Sequence, residues 1–182
     1  MNDPDRNDFK TVAESLLHSL TSNDKAYFRE GQLEAISELV EKGSRVLLVQ
    51  RTGYGKSAVY FIATKLLREQ RKSCSILISP LLALMRNQIS AAEKMGLKVA
   101  TINSTNSEEW DETYRLLDND EVDLLLVSPE RLGNPEFTSR ISSVLKRSGL
   151  LIIDEAHCIS DWGHDFRPDY RRISDLIKLL PS

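Results

Sequence analysis

Few residues of this sequence are suited to cross-linking or to binding zinc. Cys74 and Cys158 form no CxxC pair, and His18, His157 and His164 are the three histidines among 182 residues, so neither a disulfide framework nor a zinc site has its ligands. Positive charge is not in excess either. The 24 Lys and Arg stand against 27 Asp and Glu, a formal net charge of -3, which confines any nucleic-acid contact to a local patch. No apolar run approaches the roughly 20 residues of a membrane span, and the N-terminus is acidic and polar where a signal peptide is basic and then apolar. A protein without a membrane partner is expected, in the cytoplasm, at a bacterial nucleoid or in a eukaryotic nucleus. Repeats and Gly-, Ser- or Pro-rich linkers are also missing. With 41% hydrophobic and 28% charged residues, the chain has the makings of one globular domain, with disorder expected only over Met1 to Asn7.

What is present is an alternation of two kinds of segment. Five short apolar runs have the character of buried parallel strands: Val46–Val49, Ile76–Ile78, Val99–Ile102, Leu124–Val127 and Leu150–Ile153. Phe9, Val12, Ala13, Leu16, Leu17 and Leu20 mark one apolar stripe of a first helix, and Ala35, Ile36, Leu39 and Val40 a second. Further helices are predicted after Lys56, over Leu82 to Met95, over Ser107 to Leu117 and over Tyr170 to Leu180. This succession predicts an α/β fold with three layers, a mostly parallel sheet between helices. Ligands of such sheets bind at the carboxyl ends of the strands.

The first run leads directly into Thr52-Gly53-Tyr54-Gly55-Lys56-Ser57 and then a helical stretch, the context a phosphate-binding loop requires. Gly53 and Gly55 let backbone N–H groups turn inward, and the helix N-terminus adds positive potential. Lys56 can neutralise the β- and γ-phosphates, and Ser57 offers a hydroxyl to Mg2+. The competing reading is a Gly-rich turn with an incidental lysine. Gln50 stands where the general loop has its first Gly, a substitution that suits a helicase variant of the motif.

A second half-site follows the last apolar run. In Leu150-Leu151-Ile152-Ile153-Asp154-Glu155-Ala156-His157, Asp154 can hold magnesium and Glu155 can orient and deprotonate an attacking water. Taken alone, the acidic pair would also suit a helix N-terminus. His157 either bridges the nucleotide site to another lobe or caps a turn. His18 is expected at the surface, and Cys74 and Cys158 as small packing residues.

The stretch from Asp154 through Trp162, His164, Phe166 and Arg167 to Tyr170 resembles motif II and the aromatic-rich loop of RecQ helicases, a branch of helicase superfamily 2. Phe28-Arg29-Glu30-Gly31-Gln32 is similar to the family's motif 0, Ser79 to Met85 to its motif Ia, Ile102 to Thr105 to a following signature and Ser128 to Leu132 to its motif Ib. The resemblance covers residues 28 to 180. It implies an N-terminal lead-in over residues 1–27 and an ATP-binding lobe over residues 28–182, the second helicase lobe lying elsewhere.

By that resemblance ATP and Mg2+ are the cofactors, and Arg29 and Gln32 read adenine. Lys25 stands where the family usually has a stacking aromatic; Tyr27 and Phe28 are the nearest alternatives. Trp162, His164, Phe166 and Arg167, with His157, would couple single-stranded DNA to hydrolysis, or Trp162 and Phe166 would merely pack the loop. Asp161, Arg51 and Tyr54 depart from the family's usual Gln, Pro and Gly. The parent is expected to couple ATP hydrolysis to 3′-to-5′ movement on single-stranded DNA and to open duplex junctions. An RNA helicase lobe and a non-catalytic nucleotide-dependent binding module are the alternatives. Without a second lobe to give an arginine finger, slow hydrolysis and no unwinding are expected of these residues alone. In RecQ-like lobes a later strand lies between the first run and the Asp154 strand, so the sheet is expected to be either gapped or filled by another segment.

Overall fold

The computed structural model describes residues 4–51, 53–71, 74–80, 82–159, 169 and 172–178; the side chains of residues 4–7, 71, 82–85, 157 and 159 lie outside that description. Helices α1 (Pro4–Thr21), α2 (Gln32–Val40) and α3 (Lys56–Arg71) precede strand β1 (Ser75–Ile78). Then α4 (Leu82–Lys94), β2 (Val99–Ile102), α5 (Trp110–Asp118), β3 (Leu124–Val127), α6 (Pro135–Arg147), β4 (Leu151–Ile153) and α7 (Ile173–Ile177) follow in order. The four strands are parallel in the order β2-β3-β1-β4. Leu77 is level with Leu126 on one side and with Ile152 on the other.

Strand residues alternate between two faces, and the two cores follow that alternation. Leu77, Leu124 and Leu126 pack with Ile36 of α2, with Phe61, Ile62 and Leu67 of α3 and with Ala92 of α4. Ile76, Ile78, Leu125 and Val127 pack on the other face with Phe137, Ile141, Val144 and Leu145 of α6 and Leu176 of α7. Every side chain of β1 and β3 is buried, as in a strand covered on both faces. A polar clamp ties α3 to the turn before β3. Arg68 lies 2.6 Å from both Asp120 Oδ1 and Asp123 Oδ1.

Four expectations need correction. Val46–Val49 is not a strand: it joins no ladder among the described residues, and Leu47 and Val49 are 80% and 79% exposed. Among the described residues the run has no strand beside it to pair with. The outer edge of β4 is unpaired among the described residues, and residues 46–50 and 150–156 instead wall a cavity of about 420 Å³. Among the described residues no strand fills the space between residues 46–50 and β4. The start of the chain is also more ordered than expected, because α1 already begins at Pro4. A helix absent from the sequence reading, α6, is capped by Asn134, whose side-chain oxygen accepts from the N–H groups of Glu136 and Phe137, with Pro135 in its first turn. The last helix spans Ile173–Ile177 between its caps Arg172 and Lys178, where helix was expected from Tyr170 to Leu180; residues 170, 171, 179 and 180 lie outside the described residues.

Candidate nucleotide site

The phosphate loop is shaped by two glycines. Gly53 and Gly55 have φ of 78° and 88°, a region side chains rarely adopt, and a Cβ on Gly55 would stand 3.0 Å from Gln32 Nε2. The turn delivers Lys56 to the first position of α3, with Ser57 next to it. Lys56 Nζ donates to the carbonyl of Gln50 at 2.8 Å and, more weakly, to that of Arg51 at 3.5 Å. In this structure the lysine is held by the loop's own oxygens.

Motif 0 grips the same loop. Gln32 is buried; its Nε2 donates to the carbonyls of Tyr54 (3.2 Å) and Gly55 (3.0 Å), and its Oε1 accepts from the N–H of Arg29 (2.8 Å). Arg29 Nη1 donates to the carbonyl of Gly53 at 2.8 Å, and its guanidinium carbon stands 5.4 Å from the Tyr54 ring centroid. Tyr54 OH in turn donates to the carbonyl of Glu30. Both amide hydrogens of Gln32 are thus directed at the loop, which they brace in this structure. Tyr27 is 81% exposed.

The acidic pair is positioned by the sheet. The N–H of Asp154 donates to the carbonyl of Ile78 at 2.9 Å, which prolongs the β1–β4 ladder and fixes the carboxylate at the carboxyl edge. Its Oδ1 accepts from the N–H of Glu155 (3.0 Å) and its Oδ2 from Gln88 Nε2 (2.9 Å). Glu155 has φ of 52°, left-handed backbone that costs energy in a residue with a side chain, and its carbonyl accepts from the N–H of Cys158 at 2.9 Å. Burial, reinforced by the Asp154 charge, pushes the phenol of nearby Tyr60 above its ordinary range. Tyr60 is accordingly a neutral neighbour, and it accepts a hydrogen bond from Gln88 at 3.2 Å.

Lys56, Asp154 and Glu155 line one cavity, the one between residues 46–50 and β4. Arg29, Gln32, Gly53, Tyr54, Gly55 and Ser57 are not among its lining residues; they form the loop and its brace. Oxygen donors from Asp154 and Ser57 suit a hard cation, and the described residues hold no cluster of three His, Cys, Asp or Glu that would cage one. A carboxylate and a hydroxyl are oxygen donors of the kind magnesium takes, its shell completed by phosphate and water. Thr52, the side chain of His157, and Trp162, His164, Phe166 and Arg167 lie outside the described residues, so the proposed coupling loop has no geometry to report. Cys74 and Cys158 are buried, as expected of packing residues, and the ring Nε2 of His18 lies 2.9 Å from the carbonyl of Ala26, half-buried where a surface residue was expected. Two site residues escaped the sequence reading, Gln88 and Tyr60. Their polar partners are distant in sequence, and no local spacing announces them.

Residues 29–182 match the family model described as DEAD/DEAH box helicase. The ATP-dependent DNA helicase RecQ of Bacillus subtilis (strain 168) is 40% identical over 169 residues, 92% of this chain and 27% of that protein. The ATP-dependent helicase SGS1 of Saccharomyces cerevisiae is 36% identical over 159 residues, 85% of this chain and 11% of the relative. The ATP-dependent DNA helicase Q-like 5 of Arabidopsis thaliana is 40% identical over 146 residues, 80% of this chain and 15% of the relative. The chain therefore spans between 11% and 27% of the length of these relatives.

Proposed function

Because this chain belongs to the DEAD/DEAH box helicase family, we propose that it is the N-terminal ATP-binding lobe of a RecQ-like DNA helicase, coupling ATP hydrolysis to 3′-to-5′ movement on single-stranded DNA and to duplex opening. The observation that carries this reading is the convergence of Lys56, Asp154 and Glu155 on one cavity at the carboxyl edge of a parallel sheet. Two of the relatives described above are named DNA helicases, which favours DNA over RNA as the track. No described helix is long and apolar enough to cross a membrane. A place in the cytoplasm or nucleus, where DNA is, belongs to the same proposal.

In the proposed mechanism Lys56 leaves the carbonyls of Gln50 and Arg51 and donates to the β- and γ-phosphates. Gly53 and Gly55 allow the loop N–H groups to turn toward the same oxygens. Ser57 and Asp154 would hold magnesium, which would supply positive charge to neutralise the phosphate oxygens. Glu155 orients a water toward the γ-phosphorus and accepts its proton as the new P–O bond forms; ADP departs with the electrons of the broken bond. Arg29, Gln32 and Tyr54 brace the loop, and Thr52 completes it. His157, Trp162, His164, Phe166 and Arg167 form the proposed link to DNA. The second helicase lobe is supplied by sequence outside these residues, consistent with the small share of each relative that the chain spans.

The test is a titration with a fluorescent ATP analogue in the presence of magnesium. Wild type is expected to bind, and Lys56→Ala to bind about thirtyfold more weakly, the effect of losing one or two charge-assisted hydrogen bonds. Equal binding by both would reject the phosphate site. Tighter binding with single-stranded DNA present would support the coupling role of the aromatic loop.

A further inference from the structure

The hydrogen bonds around Asp154 converge on a residue that has no place in the mechanism so far. Gln88 lies on α4, which starts just beyond β1, and β1 and β4 run parallel with Ile78 level with Ile153. The helix therefore rises from the sheet edge that carries Asp154. Gln88 is 8% exposed, and its Nε2 donates to Asp154 Oδ2 at 2.9 Å and to Tyr60 OH at 3.2 Å. A carboxylate only accepts, so the amide nitrogen must face it. One side chain thus joins the phosphate-loop helix α3, through Tyr60, to the carboxylate at the end of β4.

The orientation has a cost, and the cost is informative. With its NH₂ directed at Asp154 and Tyr60, the Gln88 Oε1 is left buried with no hydrogen-bond partner among the described residues. An orphaned buried carbonyl is destabilising, because it gives up its hydrogen bonds to water and gains none in return. A glutamine used only for packing would shed that cost on replacement by an apolar side chain of similar volume.

We propose that Gln88 is a positioning residue for the metal-binding carboxylate, held by Tyr60 and presenting Asp154 Oδ1 toward magnesium by fixing Oδ2. The inference rests on the reading of Asp154 as a magnesium ligand. It makes α4 part of the nucleotide site, so that a displacement of α4 changes metal affinity without touching the phosphate loop.

The test separates metal from nucleotide. Binding of the fluorescent ATP analogue is measured across a magnesium titration and again in EDTA, for wild type, Gln88→Met, Tyr60→Phe and Lys56→Ala, each checked for folding by thermal melting. Gln88→Met is expected to raise the magnesium concentration at half-saturation about tenfold, the scale on which partners of a metal ligand act, while affinity in EDTA stays within about twofold. Tyr60→Phe is expected to raise it about fivefold, one hydrogen bond's worth. Lys56→Ala weakens binding with or without magnesium. Unchanged half-saturation in folded Gln88→Met overturns the inference and leaves the functional reading standing. If that variant melts early, the same result in Tyr60→Phe overturns it. No binding by wild type under either condition overturns the functional reading and the inference together.

Discussion

The two flanks of β1 behave differently. On one side lies β3, whose residues Leu124, Leu125 and Leu126 are wholly buried, with β2 beyond it and helices on both faces. On the other lies β4, half-buried, ending in the acidic pair and opening onto the cavity whose far wall is the unpaired run 46–50. The first flank is where folding free energy accumulates. The second carries features that folding alone would not select: a left-handed glutamate, an orphaned glutamine oxygen and exposed leucine and valine. Such features are not confined to that flank, since Asp120 in the turn before β3 is also left-handed and the Ser75 hydroxyl of β1 is also buried without a partner among the described residues; what sets the open flank apart is that they stand beside the acidic pair.

Three substitutions would break or sharpen that contrast. Leu126→Ala, in the closed flank, is expected to cost about 2–5 kcal/mol in urea-unfolding stability through lost transfer energy and the cavity left behind. A cost below about 1 kcal/mol would show that the closed flank is not the stability centre. Arg68→Ala should cost less, about 1–2 kcal/mol, because it strands Asp120 and Asp123 at a clamp that still reaches solvent; equilibrium denaturation that leaves the midpoint in place would reduce the clamp to a surface pair. Leu47→Ser, in the open flank, is expected to change stability by under about 0.5 kcal/mol. A loss of 2 kcal/mol or more by thermal melting would mean that the segment packs in solution after all, and the contrast would collapse.

Legibility in the sequence followed the same line. Ile76–Ile78, Val99–Ile102 and Leu124–Val127 were readable because a fully covered strand writes itself as a continuous apolar run. Val46–Val49 has the same composition and no ladder, since pairing depends on a neighbour that composition does not encode. Helix α6 does carry a local signal: Asn134-Pro135 at its start and Phe137, Ile141, Val144 and Leu145 at helical spacing. Lys56, Asp154 and Glu155 could be found because their motifs are local. Gln88 could not, because its bond to Asp154 spans 66 residues. The brace between Gln32 and the loop was half legible: the residues stood out, but the direction of their amide and guanidinium groups is a tertiary fact.

The lysine resting on Gln50 and Arg51 makes the loop its own competitor. A tethered carbonyl competes at a fixed effective concentration, whatever the amount of nucleotide outside. The observed dissociation constant is then the intrinsic one divided by the fraction of molecules whose lysine is released. Any event elsewhere in the protein that loosens those two carbonyls would tighten the proposed ATP binding without forming a single new contact to ATP.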